Sequence, residues 1–184
     1  MGMKQKSVFT VRQIVVSGVL GAIAVLLGVT QLGFIPVPTA AGHATIMHVP
    51  AIIGGILEGW VVGGIIGLIF GISSFLNATV PLFKDPLVAI LPRLFIGVAA
   101  YFVYRGLRRW NDPLAVGVAA FVGSVTNTVL VLGMAVVRNY MSLGVAASVA
   151  VLNGLPEAVV SVIVTLAVVL AWKRVDRRSS KARI

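Results

Sequence analysis

Long apolar runs, separated by short polar or Gly/Pro-rich connections, govern what this chain can become. A helix needs about 20 predominantly apolar residues to cross the ~30 Å hydrocarbon core of a bilayer. In lipid, its backbone groups must also be satisfied within the segment itself. Runs of this kind occur at residues 11–32, 60–76, 86–104, 114–137 and 146–172. A further apolar stretch, 46–58, is too short for one straight crossing, and we read it as a short or partly buried span. Composition agrees: 59% of the 184 residues are hydrophobic and 11% are charged, where a soluble domain has about 25% charged residues. The expected fold class is therefore all-α: one membrane domain of six transmembrane helices, followed by a basic tail at 173–184. No small-residue cleavage pattern follows the first apolar segment, so it reads as a retained span and not as a signal peptide.

The charges give this arrangement a direction. Of the 15 Lys and Arg residues, all but Lys84, Arg93 and Arg138 lie at span ends: Lys4, Lys6 and Arg12 at the start, Arg105, Arg108 and Arg109 in one loop, the rest in the tail. Six crossings put both termini and the 105–109 loop on the same face, and positive charge favours the cytoplasmic one. Both termini are expected to be cytoplasmic in a multi-pass protein of the cell membrane. The net charge of +10 thus reflects membrane topology and does not call for nucleic acid. The chain has no cysteine, which excludes disulfides and thiolate metal sites.

Arg93 interrupts the fourth span about two turns inside it. A charge at that depth costs at least ~2.5 kcal/mol on insertion scales, so it normally faces a partner, a cavity or a ligand. Pro92 beside it frees a backbone carbonyl that needs polar company. Other polar residues cluster in the same outer half: His48 opening span two, Asn77 closing span three, and Asn153 and Glu157 four apart on one face of span six. Asn127 lies nearer the middle of span five. The inner half holds no embedded ionisable residue, which describes a cup open to the outside and not a conduit. Arg93 and Glu157 are either an ion pair with each other or two ligand contacts, the arginine for a carboxylate and the glutamate for hydroxyl or amide protons. Catalysis is disfavoured: Ser73 and Ser74 have no clear base, and there is no phosphate-binding loop for ATP hydrolysis. His43 and His48 have poor spacing for a metal. No cofactor is expected.

Span one carries two small-residue ridges, Ser17 with Gly21 and Gly18 with Ala22, either of which admits close approach of another helix.

Four stretches stand out together and in order: Thr45-Ile-Met-His48-Val-Pro50-Ala-Ile-Ile-Gly54, Gly67-Leu-Ile-Phe-Gly71-Ile-Ser-Ser-Phe75, Asp85-Pro86-Leu-Val-Ala-Ile-Leu-Pro92-Arg93 and Asn153-Gly154-Leu-Pro156-Glu157. Through them the chain resembles, over nearly its whole length, a known family, the substrate-binding S components of energy-coupling factor (ECF) vitamin transporters. The resemblance implies a non-catalytic binding subunit of the prokaryotic plasma membrane that holds a small vitamin near the outer face, beneath loops 34–46, 77–86 and 138–146. It also implies a transmembrane coupling protein and two cytoplasmic ATPases as partners. The family's Ala-x-x-x-Ala coupling face on span one is matched here only by the two ridges named above. The pattern looks most like the branch that includes pantothenate and cobalamin carriers. The rival expectation is a stand-alone secondary carrier for a small anionic metabolite.

Overall fold

In the computed structural model, residues 9–36 and 43–181 are described; expectations about residues 1–8, 37–42 and 182–184 lie outside them. The architecture is all-α, apart from one small hairpin. Among the described residues, four helical stretches are long and apolar enough to cross a membrane: Val11–Val29, Pro86–Leu107, Asp112–Val137 and Leu143–Asp176. Two shorter apolar helices, Val49–Glu58 and Trp60–Leu76, complete the bundle.

Helix α1 (Val11–Val29) starts at Thr10, whose hydroxyl accepts from the Gln13 backbone N–H while the Gln13 side chain accepts from Thr10 N–H, which satisfies two orphan donors reciprocally. Only Ser17, Gly21 and Ala24 of this helix are buried. Strands β1 (Phe34–Pro36) and β2 (His43–Thr45) then pair antiparallel, with Phe34 opposite Thr45. The first Gly/Pro-rich connection thus contains a pair of strands. Helix α2 (Val49–Glu58) is the centre of the molecule: Val49 through Ile56 are all buried, packed among the longer helices. At about 15 Å long it spans half a bilayer. It begins three residues later than the sequence suggested, because Thr45 is still in the hairpin. Gly59, with φ +109°, makes the turn into α3 (Trp60–Leu76). That left-handed conformation suits glycine alone.

The fourth apolar run is broken. A 3₁₀ turn, Pro81–Lys84, precedes a single-turn helix α4 (Pro86–Ala89) and then α5 (Leu91–Leu107), with the chain interrupted at Ile90. Pro92 is the cause: it cannot donate to the carbonyl four residues back, and its ring clashes there. Helix α6 (Asp112–Val137) is uninterrupted and is capped at its start by the Asn111 side chain. It stops where Asn139 turns to φ +59°, a left-handed conformation that asparagine tolerates. The last run was expected to be one helix over 146–172. Instead α7 (Leu143–Val149) passes through a π turn, Ala150–Gly154, into α8 (Leu155–Lys181). Pro156 lies just past the turn, and the wider ring relieves the steric conflict that a proline creates upstream of itself.

Helix α3 carries Gly63, Gly67 and Gly71 on one face, and α5 lies directly against it. A Cβ on Gly71 would stand 2.9 Å from the Ile90 Cα, a Cβ on Gly63 would stand 2.9 Å from the Gly97 Cα, and one on Gly67 would collide with the carbonyl oxygen of Arg93. This backbone-to-backbone contact fixes the depth at which Arg93 sits. At the opposite end, polar groups tie the helix ends together. Lys173 Nζ lies 2.6 Å from Asp112 Oδ1, Tyr104 donates to the same oxygen at 2.7 Å, and Arg12 pairs with Glu58 at 2.7 Å. These contacts bring the start of α1, the α2–α3 turn, the α5–α6 turn and the late part of α8 to one end of the bundle.

Candidate ligand-binding cavity

At the other end of the bundle lies a cavity of about 280 Å³. Five of the six residues expected to bind ligand line it: Arg93, Asn127, Asn153, Glu157 and Asn77. They come from α5, α6, the π turn, α8 and the end of α3, so the site is assembled from the whole bundle. Met47, Phe70, Val131 and Leu132 supply apolar wall, Gly28 of α1 opens space on one side, and Ser73 and Ser74 add hydroxyls.

The sixth residue, His48, is a correction. It is fully buried and absent from the cavity lining. Its Nε2 lies 3.0 Å from the Ser124 hydroxyl of α6. The histidine at the head of α2 points into the core, where the serine replaces lost hydration.

Arg93 is 4% exposed. Its Nη1 donates to the Val88 carbonyl, which is the acceptor that Pro92 leaves without its helical donor. The proline therefore breaks the helix, and the arginine next to it takes up the freed carbonyl. The guanidinium carbon lies 5.5 Å from the Phe70 ring centroid and 5.0 Å from that of Phe83, within cation–π range of both. Its Nε is buried without a partner among the described residues, as is Asn127 Oδ1. Arg93 and Glu157 share the cavity without forming an ion pair. Glu157 Oε1 instead accepts the backbone N–H of Thr45 at 2.9 Å, which ties the foot of the hairpin to α8. The cavity thus presents a guanidinium in one wall and a carboxylate in another, with three asparagine amides between apolar surfaces.

Of the three loops expected to cover the site, Thr45 at the foot of the first and Asn77, Ala78, Thr79, Val80 and Phe83 of the second line the cavity. Residues 138–146 do not. Their role is indirect, since Arg138 Nε lies 2.7 Å from Asp85 Oδ2 and so holds the second loop against the end of α6. Arg138, together with the Leu87 N–H, keeps the Asp85 carboxyl below the usual carboxylate range. Phe70 and Phe83 were missed in the sequence. Phe83 left a usable signal, an aromatic set between Pro81 and Pro86 in a short outer loop; Phe70 is one apolar residue among many.

The two ridges of span one separate cleanly. Ser17 and Gly21 face inward, and a Cβ on Gly21 would meet the Ile69 side chain of α3 at 2.8 Å. They are internal packing and do not lie on an outward contact face. Gly18 and Ala22 are exposed, and nothing lies within 4 Å of a Cβ built on Gly18.

A cup at one end of an apolar helical bundle, with polar groups from five elements facing inward, defines a membrane-embedded binding protein for a small molecule. Residues 12–169 match the family model for the substrate-specific component of ECF transporters, and the chain belongs to that family. Its members are transport subunits and not enzymes. Among curated proteins, the chain is similar to the pantothenic acid transporter PanT of Lactococcus lactis subsp. cremoris, with 35% identity across 73% of this chain and 80% of that protein. The chain is accordingly a multi-pass membrane protein and the substrate-binding component of an ECF-type transporter, consistent with a plasma-membrane location.

Proposed function

We propose that this S component binds pantothenate, or a vitamin of the same size and charge, at the outer face of the membrane. The observation that carries the reading is Arg93: a buried guanidinium in the cavity wall whose Nε has no acceptor among the described residues. A planar fork of this kind matches a carboxylate. Asn127, Asn153 and Glu157 would receive the hydroxyl and amide groups at the other end of such a molecule, and Asn77 would stand at the rim. The relative that transports pantothenic acid supports the same choice. So does size, because 280 Å³ is at the small end of ligand pockets, about 300–1,000 Å³, and far too small to enclose cobalamin.

The whole chain would act as a single membrane domain of six crossings, with the short α2 completed by Thr45–His48 and both termini in the cytoplasm. Its basic inner ends, at Arg105, Arg108, Arg109 and Lys173 onward, fit that orientation. A transmembrane coupling protein would dock on the outward face of α1 at Gly18 and Ala22, and two cytoplasmic ATPases would supply the energy. Uptake of labelled pantothenate into proteoliposomes tests this. Accumulation should require the coupling protein, both ATPases and internal ATP. Accumulation by the chain alone, driven by a proton or sodium gradient, would instead make it a secondary carrier.

A further inference from the structure

Phe83 is not part of the bundle. It sits on the 3₁₀ turn Pro81–Lys84, half-buried, at the rim of the cavity it helps to line. Its ring centroid is 5.0 Å from the Arg93 guanidinium carbon, closer than that of Phe70 at 5.5 Å. The turn itself is held from outside the cavity, because Asp85 accepts from Leu87 N–H at 3.0 Å and from Arg138 Nε at 2.7 Å. Around Arg93, the Val88 carbonyl holds one end of the fork and two aromatic rings flank the guanidinium, while Nε has no acceptor among the described residues.

We infer that Phe83 is a positioning residue for carboxylate recognition, a loop-borne ring that holds the Arg93 guanidinium in the cavity wall and shields it from water. Two physical effects combine. Stacking restrains a side chain with several rotatable bonds, so less freedom is lost when a carboxylate binds. Exclusion of water strengthens the guanidinium–carboxylate attraction. Because Phe83 acts through Arg93, its contribution should be largest for ligands that carry the negative charge.

The inference rests on pantothenate as ligand, and the test separates the two. Binding of pantothenate and of its reduced alcohol, in which CH2OH replaces the carboxylate, is measured on the purified full-length protein and on Phe83→Leu, Phe83→Tyr and Arg93→Lys variants. Phe83→Leu should weaken pantothenate about tenfold and the alcohol far less; Phe83→Tyr should retain pantothenate binding. Equal loss for both ligands would make Phe83 a simple apolar lid and overturn the inference, as would no loss for either. A second reading needs no ligand. In the NMR spectrum of protein carrying labelled arginine, the Arg93 Nε–H resonance, assigned by its absence in Arg93→Lys, should show an aromatic ring-current shift that weakens in Phe83→Leu and persists in Phe83→Tyr. If the wild type binds no pantothenate yet this pattern holds, the choice of ligand fails and the positioning role stands. An Arg93 resonance that Phe83→Leu does not move overturns the positioning role itself.

Discussion

One arginine sets the chemistry of this molecule. Arg93 is buried in apolar surroundings, its charge compensated by a carbonyl, two aromatic faces and the more distant Glu157 carboxylate. Truncation to alanine should therefore weaken pantothenate by about 2–5 kcal/mol, as for removal of a buried charged contact, while the bundle still folds; isothermal titration on the purified variant measures it. Wild-type affinity in that variant would leave the arginine purely structural. The residue was legible in the sequence because a charge two turns inside an apolar run is costly anywhere else. His48 was misread for the complementary reason. Its partner, Ser124, is 76 positions away, and no local pattern reveals whether a histidine at a helix start looks toward a cavity or into the core. The same limit hid Phe70, whose importance comes only from the helix that packs against it.

Elements, and especially their interruptions, place these residues. The apolar runs were readable as helices, and Pro92 and Pro156 were visible in them, yet the breaks they cause depend on what the neighbouring helices supply. At Pro92 the freed carbonyl finds Arg93; at Pro156 a π turn presents Asn153 and Gly154 to the cavity. The glycine face of α3 is equally specific. Gly67→Ala should drive α5 away from α3 and lower stability by about 1–3 kcal/mol, the usual cost of overpacking, with loss of ligand affinity because Arg93 moves with the helix. Thermal unfolding and titration together check this, and unchanged affinity would show that the depth of Arg93 is set elsewhere. The Asp85–Arg138 pair offers a test by pH. Its carboxyl is depressed in the folded protein, so its stabilisation is present above the ordinary carboxylate value and is lost as pH falls through the lower folded one. Asp85→Asn should be less heat-stable than wild type at neutral pH, and the difference should shrink as pH is lowered below about 4. A constant difference down to pH 3 would mean that the ion pair does not stabilise the loop.

At the scale of the whole molecule, the arrangement is polar groups and a cavity at one end, tight ionic ties at the other, and greasy flanks between. Clustering of Lys and Arg at one set of helix ends, and of the other polar residues at the opposite ends, made that polarity legible from the sequence. The two α1 ridges were not distinguishable there, since Ser17/Gly21 and Gly18/Ala22 differ only by a rotation of about 100° around the helix. Packing on α3 separates them. Gly18→Leu adds bulk to the outward face and nothing to the interior, so it should block ATP-driven uptake in proteoliposomes while leaving pantothenate binding unchanged; normal uptake would move the coupling contact to another surface. The central claim, that the cavity holds a small carboxylate-bearing vitamin, is tested most directly by mass spectrometry of small molecules released from the purified, freshly denatured protein. The account predicts pantothenate in near one-to-one amount from the wild type and none from Arg93→Ala. A stoichiometric ligand without a carboxylate, or wild-type protein that is empty and takes up no added pantothenate, would contradict it.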